Sequence, residues 1–85
     1  MIYDMTAAQI QDEAMSISLN AYASRSPTSF KDAAQEIFVF IEVLKDGMKS
    51  GKYDAEMRQT EQHKLVNDLT VKANKLLDQN HLRRK

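Results

Sequence analysis

Few residues in this chain have the types and spacing that chemistry requires. Its two histidines, His63 and His81, stand 18 positions apart. Neither has the i, i+4 partner histidine that would set two imidazoles on one helix face around a metal. Glu56 and His63, seven positions apart, fall on one helical face, but both histidines read as surface residues and no metal site is expected. The chain has no cysteine, which excludes disulfides and any cysteine-only metal site. Nucleophilic catalysis needs a base beside an activated hydroxyl, and the serines cluster at helix ends and in a linker, where capping accounts for them. Carboxylates pair at Asp12-Glu13 and at Asp54 with Glu56, among polar neighbours that offer no burial to raise a pKa for acid catalysis. The expectation is a protein that is not an enzyme and that uses no cofactor.

Two binding chemistries compete with that bland picture. Arg58, Gln59, Gln62 and His63 are side-chain types that read base edges, and Lys45, Lys49, Lys52 and the terminal Arg83-Arg84-Lys85 are suited to phosphates. The nucleic-acid alternative therefore rests on Arg58, Gln62, Arg83, Arg84 and Lys85. Against it stand equal numbers of basic and acidic residues, 12 of each, and Glu56 and Glu61 on the same segment. The second alternative is a small anionic ligand, such as a nucleotide, at Arg25, Ser26, Thr28, Ser29 and Lys31, where a linker enters a helix whose N-terminal amides and dipole favour anions. Tyr22 would stack on a base there. Ser26, Thr28 and Ser29 also suffice as ordinary caps, and Asp32 opposes an anion.

The elements that position these residues follow from composition and period. Two glycines and one proline in 85 residues leave too few turns for an all-β chain, and the abundance of Ala, Leu, Met, Glu, Gln, Lys and Arg favours helix. Thr6-Ala7-Ala8-Gln9 is a capping box with Met5 and Ile10 at the staple positions, so a first helix is expected over 7–23. Ala7, Ile10, Ala14, Ile17 and Ala21 form its seam, and Ala8, Met15, Leu19 and Tyr22 form a second stripe, which suggests burial on two sides. A linker spans 24–29, with Pro27 disfavouring helix before it and hydroxyls competing for the backbone.

A second helix is expected over 30–50, with Phe30, Ala34, Ile37, Ile41, Leu44 and Met48 in strict four-three alternation and Gly51 as the C-terminal cap. Ile37-Phe38-Val39-Phe40-Ile41 alone resembles a strand, but the apolar period runs past any ordinary strand length. A third helix, capped by Asp54, is expected over 55–79 with Leu65, Val66, Leu69, Ala73, Leu76 and Leu77 inward, followed by a basic tail at 80–85. At 1.5 Å per residue the third helix is about 37 Å long against about 25 Å for the first, so part of it overhangs the core.

The fold class expected is all-α: one small three-helix domain, an antiparallel helical hairpin plus a third long helix, assembled into an oligomeric bundle. A chain this short buries only about 60–65 per cent of its unfolded surface, and self-association supplements such a core. The apolar residues exceed what three helices cover, with Val39 and Val43 expected together on the side of the second helix away from the Ile37/Ile41 seam and Phe38 and Phe40 on opposite shoulders. Ala7, Ile17, Tyr22, Phe38, Val39 and Val43 are the interface candidates. Charge is split: residues 1–44 carry six acidic and two basic side chains, residues 45–85 six acidic and ten basic, which favours head-to-tail attraction. Of the five methionines, Met15 and Met48 sit on core stripes, and core filling explains them better than an adaptable binding patch. No apolar run approaches the length of a membrane span, no signal peptide is apparent, and a cytoplasmic location without membrane contact is expected. The functional expectation is a non-enzymatic helical binding module that self-associates and contacts a protein partner. Small accessory or inhibitor proteins of phages and other mobile elements are of this kind.

Overall fold

A computed structural model of the protein describes residues 4–83. Three helices, α1 (Ala7–Ala23), α2 (Ser29–Ser50) and α3 (Gln59–Arg83), make up most of it, and no strand occurs among the described residues. Helix α2 is the common partner: its principal interface is with α3, and α1 packs on both.

Helix α1 begins where its capping box predicts. The Thr6 hydroxyl accepts from the Gln9 amide at 3.1 Å, and the Gln9 side-chain carbonyl accepts from the Thr6 amide at 2.9 Å. Two further amides of the first turn, which no intrahelical carbonyl can satisfy, donate to a carboxylate from far along the chain. Ala7 and Ala8 donate to Glu56 at 2.9 and 2.8 Å. Glu56 thus ties the start of α1 to the connection between the other two helices. The inner face of α1 is small: Ala7, Ile10, Ala14, Ser18 and Ala21 are buried and Ile17 packs against them.

Helix α2 carries the largest part of the core. Phe30, Ala33, Ala34, Ile37, Phe40, Ile41, Val43 and Leu44 are buried, and Met48 packs against them. Its end is a Schellman arrangement: Gly51 takes φ 76°, its amide donates to Met48, and the Lys52 amide donates to the Gly47 carbonyl at 2.9 Å. Gly47, one turn earlier, is required for a different reason. A Cβ there would overlap Cε2 of the Tyr53 ring and stand 2.8 Å from Cζ, and that ring is fully buried. The absence of a side chain at Gly47 is what lets Tyr53 fold back onto the helix.

The third helix starts later than the sequence suggests. Residues 51–56 form successive turns, with the Asp54 amide donating to Gly51 and the Glu56 and Met57 amides to Tyr53. Asp54 is not a helix cap here. Its carboxylate accepts from the side-chain amide of Gln62 at 3.0 Å, and the same amide donates to the Met57 carbonyl at 2.9 Å. The physical reason for the shift is burial: turning through 51–57 drops Tyr53 into the core and frees Glu56 to cap α1, which a helix from 55 would prevent. Helix α3 then buries Leu65, Leu69, Ala73 and Leu76 and continues to Arg83, four residues past its expected end. Residues 80–83 are therefore helical rather than a tail, and the final Arg84 and Lys85 lie outside the described residues.

Candidate functional site

The expected second buried side of α1 is open. Met15, Leu19 and Tyr22 are 50, 64 and 51 per cent exposed. At 100° per residue, their spacing of four and three keeps them within an arc of about 60°, one continuous apolar stripe. Tyr22 also meets the Phe30 ring edge-on, centroids 5.0 Å apart at 66°, which joins the end of α1 to the start of α2. The large side chains of α1 thus point away from the core that its small ones fill.

The interface candidates divide. Tyr22, Phe38 and Val39 are exposed and Ile17 is half-buried. Ala7 and Val43 belong to the core of the chain itself, with 0 and 5 per cent of their surface accessible, and are not on a free face. Val39 and Val43 are about 40° apart around the helix, and the edge of the buried arc passes between them. The remaining exposed large apolar residues, Val71, Leu77 and Leu82, are spread along α3.

At the entry to α2 the hydroxyls are engaged locally. Ser26 and Thr28 hydroxyls lie 3.3 Å apart, Thr28 donates to the Asp32 carboxylate at 3.1 Å, and Ser29 shares its proton between the carbonyls of Ala21 and Ser26. Thr28 occupies the cap position without capping an amide through its side chain, and Asp32 supplies the negative charge of the first turn. Arg25 and Lys31 are exposed on either side. Ser26, Thr28 and Ser29 are thus tied into local hydrogen bonds, and Thr28 is committed to the Asp32 carboxylate.

The base-reading candidates Arg58 and Gln62 are one turn apart, joined by a backbone hydrogen bond of 2.9 Å, but only one of them is exposed. Arg58 is exposed, but Gln62 is buried, with its amide committed to Asp54 and Met57. It is a loop-closing residue and is not available to read a base edge. Arg83 ends α3, and Arg84 and Lys85 lie outside the described residues.

Sequence reading missed a groove between α2 and α3. It has a volume of about 460 Å³ and is lined by Glu42, Lys45, Asp46, Met48 and Lys49 of α2 and Gln59, Gln62, His63 and Val66 of α3. Met48 and Val66 are half-buried, and the charged residues and His63 are exposed. Two signals bore on it: Lys45 and Lys49 fall one turn apart on the solvent shoulder of the α2 seam, and Gln59 and His63 have the same spacing on α3.

Tyr53 and Glu56 form a second polar feature, at the base of α1. The Tyr53 hydroxyl is buried with no hydrogen-bond partner among the described residues. Burial, and secondarily the negative charge of Glu56, push its pKa above the ordinary tyrosine value. A neutral phenol beside a carboxylate that caps a helix is a structural arrangement, since Glu56 already spends both oxygens on backbone amides. No group of three or more His, Cys, Asp or Glu residues is placed to hold a metal among the described residues. Likewise no helix of the described residues is long and apolar enough to cross a membrane. Comparison of the chain with protein-family models, with curated proteins and with solved structures yields no match.

Proposed function

We propose that this protein is a non-enzymatic helical binding module that self-associates and works through protein–protein contacts. The observation that carries the reading is the stripe Met15, Leu19 and Tyr22 on the outer face of α1. Fully burying side chains of this size is worth about 1.5–3 kcal/mol each, and these three, about half exposed, forgo a large part of that in the single chain. A small domain has little stability to forgo, so a surface that covers the stripe gains both affinity and fold stability. The role extends to that of a small accessory or inhibitor protein, such as mobile elements carry, whose assembled bundle occludes or bridges a protein partner. The scattered placement of the reactive side chains among the described residues supports that extension.

The test is sedimentation equilibrium and light scattering on the natural chain and on Leu19→Glu. We expect a mass above that of one chain for the natural protein, falling to one chain in the variant while circular dichroism keeps its helical signal. A natural chain that remains monomeric at all concentrations reached rules the reading out.

A further inference from the structure

We propose that the α1 stripe of one copy seats in the α2–α3 groove of a second copy. This rests on the self-association above and names the surface that receives the stripe. The groove has no lining residue from α1, so donor and acceptor surfaces are separate and both are present on every chain. Its volume, about 460 Å³, lies within the range of roughly 300–1,000 Å³ found for sites that enclose compact ligands, enough for the ends of a few apolar side chains. Met48 and Val66 offer them apolar contacts, the mode in which a helix presents anchors at four-three spacing to a groove.

Charge sets the orientation. Helix α1 contains Asp12 and Glu13 and no lysine or arginine. Asp12 precedes Met15 by three positions and so shares the stripe's side of the helix. The groove presents Lys45 and Lys49, one turn apart on α2 and both exposed. Glu42 and Asp46 stand beside them, so the lysines set the register, and reversing both would leave four carboxylates facing Asp12, enough to oppose the apolar contacts. The same polarity runs through the whole chain, acidic before residue 45 and basic after it. A stripe-in-groove contact closes as a two-fold dimer when each chain fills the other's groove, and otherwise grows head to tail.

The experiment is complementation between two variants by analytical ultracentrifugation. Leu19→Glu spoils the stripe and keeps the groove; Lys45→Glu with Lys49→Glu spoils the groove and keeps the stripe. All three positions are exposed, and circular dichroism checks that each variant stays helical. Each variant alone is expected to sediment as one chain. An equimolar mixture is expected to reach the mass of two chains, since one intact stripe then meets one intact groove. If the lysine variant self-associates as the natural chain does, or the mixture stays monomeric, the groove is not the receiving surface, even though self-association through α1 stands. A natural chain that is itself monomeric defeats both readings.

Discussion

The α2–α3 pair and helix α1 place their side chains in opposite ways. Across the pair, Phe30, Ile37, Phe40, Ile41, Leu44, Leu65, Leu69 and Leu76 turn inward, so most of the large apolar groups on these helices make the core, while Phe38, Leu77 and Leu82 stay exposed. On α1 the buried set is three alanines, a serine and one isoleucine, while a methionine, a leucine and a tyrosine face outward. An alanine methyl contributes only about 0.8 kcal/mol on burial, against about 1.5–3 kcal/mol for a leucine or phenylalanine side chain. Small inner residues let α1 approach closely but hold it weakly, and its N-terminus is secured by the Glu56 carboxylate. The pair is therefore the stable body of the fold, and α1 is a helix held at one end by polar contacts and left apolar on its outer side. That difference is the physical basis for proposing a binding role for α1.

The sharpest way to break the comparison is in the pair. Leu69 is buried in the middle of α3, and Leu69→Ala should destabilise the whole chain by about 2–5 kcal/mol through lost transfer energy and the cavity left behind. Urea unfolding followed by circular dichroism measures it. A loss confined to one helix, with the rest unfolding as before, would show that the pair is not the cooperative body described here.

A smaller effect, and a local one, is expected at the clasp. Glu56→Gln keeps the size of the side chain but removes the charge that faces two first-turn amides, and should cost about 1 kcal/mol at this exposed position. Hydrogen exchange should report faster exchange of α1 amides with little change in the protected core of α2 and α3. Uniform loosening of all three helices would contradict the division of roles.

The smallest effect belongs to Tyr53. Its buried hydroxyl has no partner among the described residues, so Tyr53→Phe should leave stability unchanged or raise it by up to about 1 kcal/mol near neutral pH. Alkaline pH sharpens the contrast. The folded-state pKa is raised, so above about pH 10 the unfolded chain releases this proton before the folded one does, and folding stability falls as pH rises from there. Tyr53→Phe removes that contribution, and the gap in stability between variant and natural chain should widen above pH 10. Equal alkaline slopes for the two proteins would mean that the phenol is not held neutral by its surroundings.

What the amino-acid sequence determines by itself is whatever depends on neighbours within a few positions. Thr6 and Gln9 start α1, Gly51 ends α2 through a left-handed cap, and the alternation from Phe30 to Met48 marks an inward face, because capping, φ freedom and helical period are local properties. Period also marks the stripe of Met15, Leu19 and Tyr22 as apolar, but it cannot say whether anything lies against it. That depends on how far the arc covered by neighbouring helices extends, and the same limit separates buried Val43 from exposed Val39. The polar residues of 51–62 were the least legible. Asp54 has the composition of a helix cap and Gln62 that of a solvated or base-reading side chain, yet one accepts from the other to close a loop. Glu56 caps a helix that begins 49 positions earlier in the chain. Only the tertiary structure decides such pairings, because hydrogen bonds between residues distant in sequence form wherever packing brings unsatisfied donors and acceptors together, and packing is set by the chain as a whole.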